Sequence, residues 1–304
     1  MMPVLIGLDW GTTNLRAYLI ARDGATIEQR TGGPGIMQVS DGRFENALTA
    51  FCGDWISAHQ SVPLIASGMI GSKQGWREAP YCPCRADTTD IAGSMARVVL
   101  AQGRTLRIVP GVSTVNSGSG VPDVMRGEET QIIGAVPQRG SHLVVLPGTH
   151  SKWAWISDGA IVNFSSWMTG EIYAALINHT ILGRLMTPEA AHDQAAFDRG
   201  VRYGFERPGQ LLSRLFSART LGLFGQLDAT ALPSYLSGLL IGAEIGGATE
   251  ATADSHTLLL LGNRHLTGRY ASACELLGLA ATCGPEDSAA LGMHRLARAL
   301  APMG

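Results

Sequence analysis

The chain has 304 residues, 45% hydrophobic and 16% charged, which describes a globular protein with a sizeable core and room for two domains of ordinary size. A formal net charge of −2 excludes a bulk electrostatic case for a nucleic-acid or membrane-surface partner. The longest apolar runs, such as Leu258 to Leu261, fall far short of the about 20 residues that span a bilayer, and the amino terminus lacks the basic and apolar regions of a signal peptide.

In chain order, residues 4–9 and 15–21 read as strands joined by the polar loop Asp9-Trp10-Gly11-Thr12-Thr13-Asn14. Asp23-Gly24 is a turn signal, and a third strand continues through 25–30. Apolar residues at 44, 47, 48, 51 and 55 recur with a helical period. LIASGMIGS (64–72) predicts a strand running out into a glycine loop, DIAGSMARVVLA (90–101) a helix, and LRIVPGV (106–112) a strand. The Ser/Gly-rich stretch 116–123 predicts a flexible loop. Residues 141–164 then repeat the opening: an apolar strand ending at Gly148-Thr149, a polar loop, a strand, Asp158-Gly159 and another strand. The glycine-to-glycine spacing is 13 residues in the first copy and 11 in the second, and the copies lie 137 residues apart. Beyond residue 170 the pattern is helical over 171–186, 190–206, 208–221 and 232–253. A strand at 256–262 and helices near 265–278 and 286–300 close the chain. The duplication, set among αβ units, predicts two similar α/β domains, 1–138 and 139–304, facing one another, with the last helix able to return to the first.

A tight turn rich in Gly and Thr offers backbone N–H groups and hydroxyls to an anion. Two such loops at corresponding places of a duplicated chain suit a polyphosphate gripped from both sides. Asp9 then reads as a carboxylate near the phosphates, holding Mg²⁺ directly or through water; a plain strand-end cap is the alternative. The chain contains no G-x-x-x-x-G-K-[ST] loop, no H-R-D and D-F-G pair, and no G-x-G-x-x-G after the first strand. The five cysteines, an odd number, suit reduced thiols and a cytoplasmic setting. Cys82-Pro83-Cys84 has the wrong spacing for a redox pair and reads as two ordinary thiols, and His179, on a helix rich in Leu and Ile, as a core histidine.

LDWGTTNLRAYL (8–19) resembles the first phosphate motif of the acetate and sugar kinase, Hsp70 and actin superfamily. LPGTHSKW (146–153) is similar to its second phosphate motif and LLLLGNRHLTGRYASA (258–273) to its adenosine motif. More closely, SGMIGSKQGWREAPY (67–81), PDVMRGEETQIIGA (122–135), LPGTHSKW and SSWMTGEIYA (165–174) resemble the 2-dehydro-3-deoxygalactonokinases over nearly the whole chain. The resemblance implies an α/β fold of two ribonuclease-H-like domains, the actin-like ATPase fold, with the active site in an interdomain cleft. It also implies ATP-dependent phosphorylation of the 6-hydroxyl of 2-dehydro-3-deoxy-D-galactonate in D-galactonate catabolism. The epimeric 2-dehydro-3-deoxygluconate is the alternative substrate. A nucleotide-switched binding protein is the rival from another class, disfavoured because the chain has no room for an added peptide-binding domain.

In that superfamily an acid shortly before the second phosphate motif readies the attacking hydroxyl. Here the region holds Glu128, favoured because it follows Gly127, then Glu129, then Asp123; the usual residue is Asp, and both glutamates could simply be first-turn acids of a helix. ATP and Mg²⁺ are the implied cofactors. Gly11, Thr12, Thr13, Asn14, Gly148, Thr149, His150 and Lys152 are the phosphate candidates, Gly262 and Asn263 the nucleoside candidates, and Asp9 the metal ligand and third catalytic candidate. The helix carrying Tyr270 is expected to support the nucleoside wall. The substrate's carboxylate suits backbone N–H groups or a planar Arg fork. Its candidates are Ser67, Gly68, Met69, Gly71, Lys73, Gln74 and Arg126, together with Thr169, which is also a possible helix N-cap, and Glu171. Trp76 suits sugar C–H packing or core burial equally. A homodimer is possible through the long helical stretches.

Overall fold

In a computed structural model, residues 2–116, 119–250 and 257–300 are described. The apolar opening folds as the hairpins β1 (Pro3–Trp10), β2 (Asn14–Ala21) and β3 (Thr26–Pro34), followed by α1 (Phe44–Ala58) and β4 (Leu64–Ser67). Next come β5 (Tyr81–Pro83), α2 (Thr88–Gly93), β6 (Ala96–Val99), β7 (Thr105–Ile108), β8 (Gly111–Val115), β9 (Pro122–Met125) and α3 (Glu128–Ala135). The second copy supplies β10 (Ser141–Leu146), β11 (Ser151–Ser157) and β12 (Ala160–Trp167). The remainder is α4 (Thr169–His179), α5 (Gln194–Phe205), α6 (Leu211–Leu215), α7 (Ser217–Leu223), α8 (Leu232–Glu250), β13 (Leu258–Leu260), α9 (Arg264–Leu276), β14 (Ala281–Cys283) and α10 (Ser288–Leu300). Among the described residues no helix is long and apolar enough to cross a membrane.

Two sheets share one strand order over five positions, the first carrying β6 as an additional edge strand. The first runs β3-β2-β1-β4-β7-β6, and the second runs β12-β11-β10-β13-β14. In the first, β1 and β2, and β2 and β3, pair antiparallel, while β1, β4 and β7 are parallel neighbours. In the second, β10, β13 and β14 are parallel neighbours in the matching places. The turn into β12 uses Asp158 and Gly159, both at positive φ (49° and 74°), the conformation a tight hairpin needs. By contacts the chain divides into two compact units: one holds the stretch through His142, Ala154–Ser165 and the stretch from Gly284, the other Leu143–Trp153 and Ser166–Cys283.

In the first unit, alternate residues of β1 and β2 (Ile6, Leu8, Trp10, Leu15, Ala17, Leu19) pack on Leu48, Cys52 and Trp55 of α1, the period-2 and period-3.6 faces meeting as strand and helix geometry require. There α10 packs on α3, and Arg295 donates through Nη1 to the carbonyls of Ile133 (2.5 Å) and Val136 (2.8 Å), capping the helix end. In the second unit, α5 and α8 touch backbone to backbone. A Cβ on Gly200 or Gly204 would sit 2.2 or 2.1 Å from a carbonyl of α8, and one on Gly238 or Gly242 would sit 2.1 or 2.2 Å from a carbonyl of α5. The four-residue spacing places each glycine pair on one helix face.

Several sequence expectations change. DIAGSMARVVLA is not one helix: α2 ends at Gly93 and Ala96–Val99 form edge strand β6, paired antiparallel with β7. LRIVPGV is two strands, β7 and β8, and β8 joins a separate three-stranded sheet, β5-β8-β9, whose last strand takes in Pro122 and Asp123 of the expected loop. His179 is exposed in the last turn of α4; it is not a core residue. The expected strand at 256–262 begins on a residue outside the described ones, as does the tail of the 232–253 helix. All five cysteines are free thiols.

Candidate active site

The first Gly-Thr loop is a four-residue turn closed by the Gly11 N–H donating to the Asn14 carbonyl at 2.9 Å. The N–H groups of Ile36 and Met37 donate to the carbonyls of Gly11 (3.0 Å) and Thr12 (3.2 Å). This ties the loop carbonyls to the following segment while Thr12, Thr13 and Asn14 stay exposed. Gly35 lies directly beneath: a Cβ there would sit 2.3 Å from the Thr12 carbonyl oxygen. Sequence reasoning missed Gly35; its signal was the Gly32-Gly33-Pro34-Gly35 cluster at a strand exit.

At the end of β1 several expected residues converge. Asp9 faces Arg16 across the β1–β2 pair (3.5 Å) and Ser67 across the β1–β4 pair. Burial raises the Asp9 pKa and Arg16 opposes the rise; 28% of the side chain remains open. Gly68 (φ 96°) lies against this strand end, its Cβ position 2.9 Å from the Trp10 carbonyl and 3.6 Å from Asp9 Oδ1. Gly127 (φ 103°) lies against Gly68, with 3.3 Å between its Cβ position and Gly68 Cα. Both positions require a residue without a side chain, and Gly127 leads straight into α3 and the two glutamates.

Glu128 is half-buried, and its Oε2 accepts the Arg126 N–H at 2.9 Å. Glu129 is fully buried, accepting the Gly127 N–H at 2.6 Å and the Thr130 hydroxyl at 3.0 Å. Ser67 Oγ lies 2.6 Å from Thr130 Oγ1, so its hydroxyl is engaged inside this cluster. Burial, and then the charge of Glu128, push the Glu129 pKa up to about 8. Both glutamates are thus first-turn acids of α3, as the simpler reading had it, but only Glu128 presents surface. Asp123 sits on β9, its Oδ1 accepting the Val124 N–H.

Arg126 donates through Nη2 to the Ala79 carbonyl (2.8 Å) and stacks over the Tyr81 ring (4.4 Å). Its Nε and Nη1 are buried with no hydrogen-bond partner among the described residues, and Gly71 leaves room at Nη1. The Ser72 hydroxyl is likewise buried and unpartnered. Met69 is half-buried, whereas Lys73 and Gln74 are exposed on the loop surface. Trp76 stacks on Phe44 (6.1 Å) with its edge toward Trp10 (6.5 Å), a wall of the core.

The second unit builds its own loop. The Thr149 carbonyl accepts the Glu171 N–H (2.9 Å), and a Cβ on Gly170 would lie 2.4 Å from the Gly148 carbonyl oxygen. His150 Nε2 and Glu171 Oε2 are 2.5 Å apart, both half-exposed. The MTGE segment and the second loop are therefore one piece. Thr169 is not the N-cap of α4; Met168 holds that position without a side-chain cap bond, and the Thr169 hydroxyl donates to Glu244 Oε2. Glu244, 2% exposed, also accepts the Tyr270 hydroxyl on Oε2 (2.6 Å) and the Trp153 indole N–H on Oε1 (2.8 Å). Ser151 Oγ lies 3.0 Å from the Tyr270 hydroxyl. Burial raises the Glu244 pKa and these hydrogen bonds oppose it. Sequence reasoning missed Glu244, whose signal was a lone acid in an apolar, glycine-rich helix. Lys152, expected near the phosphates or else solvated, is 5% exposed on β11. Gly262 (φ 124°) lies near the Pro147 carbonyl, 3.7 Å from its Cβ position, and Asn263 caps α9 by accepting the His265 N–H at 2.9 Å.

A profile described as 2-keto-3-deoxy-galactonokinase matches residues 9–296, which takes in both loops, the glutamate pair and the Gly262 turn. The chain belongs to the 2-keto-3-deoxy-galactonokinase family. This kinase is 36% identical over 301 residues to a probable 2-dehydro-3-deoxygalactonokinase of Rhizobium meliloti strain 1021, covering 97% of each chain. It is 34% identical over 297 residues to the 2-dehydro-3-deoxygalactonokinase of Escherichia coli K12, covering 97% of this chain and 98% of that one. A crystal structure of a Sinorhizobium meliloti protein assigned as a 2-dehydro-3-deoxygalactonokinase superposes with a TM-score of 0.88 at 34% identity, covering 98% of this kinase and 100% of that chain. The Acidaminococcus fermentans (R)-2-hydroxyglutaryl-CoA dehydratase component A shares the fold alone, at 10% identity over 98% of this chain and 99% of that one, with a TM-score of 0.50. The kinase has the actin-like ATPase fold and uses ATP.

Proposed function

We propose that this kinase transfers the γ-phosphoryl group of ATP to the 6-hydroxyl of 2-dehydro-3-deoxy-D-galactonate, a step of D-galactonate breakdown. The observation that carries the reading is the cluster at the end of β1: Asp9, the bare backbones of Gly68 and Gly127, and the surface-presenting Glu128. Phosphoryl transfer asks a protein mainly for positioning, charge neutralisation and a group to receive the hydroxyl proton. Glu128 is the proposed proton acceptor, held in place by the Arg126 N–H. Glu129, buried and accepting the Gly127 N–H, is proposed to anchor the turn. Asp9 is a hard oxygen donor suited to Mg²⁺, whose charge would offset that of the phosphates. Mg²⁺ favours oxygen ligands and retains several waters, so one carboxylate beside the phosphates is a fitting protein ligand.

Thr12, Thr13 and Asn14 in the first loop and Gly148, Thr149 and Lys152 in the second are the proposed phosphate contacts, and Gly262 the close approach for the nucleoside. Arg126 is proposed for the substrate carboxylate, since its unpartnered Nε and Nη1 are the donors such a group requires. Gly71, Met69, Lys73 and Gln74 would wall that site. Thr169 and Glu171, each bonded within the second unit, are proposed to shape the second loop rather than touch the sugar acid. The cytoplasm, with its reducing thiol pool, is the proposed setting, consistent with five free cysteines. Side-by-side steady-state kinetics on the galactonate and gluconate epimers tests the substrate. The proposal expects the higher kcat/KM with the galacto epimer; a clear preference for the gluco epimer would reassign it.

A further inference from the structure

We propose that Glu244 is a positioning residue for the second nucleotide loop, tying β11 and the first turn of α4 to one buried carboxylate and so holding the Gly148–His150 backbone in shape. The inference rests on the reading of that loop as a phosphate contact.

Two routes lead from the loop to this carboxylate, one through β11 and one through the first turn of α4. Downstream, β11 begins at Ser151, and Trp153 donates its indole N–H to Glu244 Oε1 at 2.8 Å. Ser151 reaches the same carboxylate through Tyr270, 3.0 Å from its hydroxyl, which donates on to Oε2 at 2.6 Å. Laterally, the Thr169 hydroxyl donates to Oε2, and two residues later Glu171 holds the Thr149 carbonyl with its N–H and His150 with its carboxylate. Tyr270 belongs to α9, the helix that follows the Gly262 turn, so the adenosine motif is tied to the same point.

Packing alone does not account for the arrangement. A cavity of about 310 Å³ opens beside Thr169 and Glu244, walled by Trp167, Ile172, Leu240 and Gly247. On that side the start of α4 borders open space, and the Thr169 hydrogen bond joins the Glu171 N–H to Thr149 carbonyl bond in holding it. Nor is stability the natural reason for the residue. A buried carboxylate is costly to desolvate, and apolar replacements at such positions often stabilise a fold. What the carboxylate supplies is an acceptor with two oxygens on which donors from three separate segments converge, and that is geometry.

The test uses the full chain and compares Glu244→Gln, Tyr270→Phe and Thr169→Val with Gly148→Val. At Gly148 a Cβ meets only the His150 carbonyl within 4 Å, at 3.9 Å, so that variant probes the loop without disturbing the fold. Binding of a non-hydrolysable ATP analogue, the KM values for ATP and for the sugar acid, and Tm are measured for each. The expected result is that Tyr270→Phe and Thr169→Val weaken the analogue and raise the KM for ATP by about five- to tenfold, the effect of one lost hydrogen bond, while the KM for the sugar acid stays within about twofold. Glu244→Gln should do at least as much. If it fails to fold, the other two variants decide. Unchanged analogue affinity in folded Tyr270→Phe and Thr169→Val, with Gly148→Val still weakened, overturns the inference alone, as does a fall in Tm with both KM values moving together. Unchanged affinity in Gly148→Val removes the loop assignment on which the inference stands.

Discussion

Glu128 and Glu129 are sequence neighbours on α3 with opposite surroundings, and each carries its own prediction. Glu128→Gln removes the proposed proton acceptor while keeping the side chain's size. Its kcat should fall by about 10²- to 10⁴-fold with affinity for the ATP analogue nearly unchanged; full turnover would send the role to Asp123 or Glu129. Glu129 has a folded pKa of about 8 against an ordinary 4.5, so the fold favours its neutral form. Its contribution to stability is whole below about pH 4.5 and is lost as pH rises through about 8. Tm followed from about pH 5 to about pH 9 should drop, and Glu129→Gln, which imitates the neutral acid, should flatten that drop. An equally steep profile in the variant would show that burial does not hold this acid protonated. That both acids open a helix was legible in the sequence, because Gly127 and the acid pair stand next to one another; which of them presents surface was not. Glu244 was not, because its meaning lies in partners 91, 75 and 26 residues away. The same partnership explains why Thr169, which reads locally as a cap, is not one: Glu244 takes its hydroxyl.

Among the elements, the strongly periodic ones were readable and the short ones were not. The β1–β2–β3 and β10–β11–β12 runs carry long apolar stretches punctuated by Gly and Asp-Gly turns, and α1, α5, α8, α9 and α10 stand where the pattern places helices. The stretch 90–101 misled because Asp87, accepting from the Thr89 and Asp90 N–H groups, starts a true helix that Gly93 ends; Val98 and Val99 then follow their β preference against β7. The β5-β8-β9 sheet escaped notice because its strands are three to five residues long and β5 pairs with β8 across a long stretch of chain. The support beneath the first loop is also an element-level property. Gly35→Ala would push a methyl group to 2.3 Å from the Thr12 carbonyl, so the loop must shift. The KM for ATP should rise by about tenfold or more, equivalent to about 1.4 kcal/mol, while far-UV circular dichroism stays unchanged. Unaltered KM would mean that the loop's shape is irrelevant to nucleotide binding.

Across the whole molecule the duplication is the deepest signal the sequence carries. Two Gly-Thr loops 137 residues apart correspond to two sheets of the same strand order, β3-β2-β1-β4-β7 and β12-β11-β10-β13-β14. The grouping of residues 154–165 with the first unit was not legible, since it rests on contacts that no local pattern encodes. At the scale of the molecule the chemistry is a single transfer: a sugar acid receives the terminal phosphoryl group of ATP on its primary alcohol. Incubation of the purified chain with ATP, Mg²⁺ and 2-dehydro-3-deoxygalactonate, followed by identification of the phosphorylated product, tests that claim most directly. The prediction is ADP and the 6-phosphate in equal amounts, with no ADP above background when the sugar acid is omitted. ADP release that ignores the sugar acid, or a phosphate on any other oxygen, would contradict it.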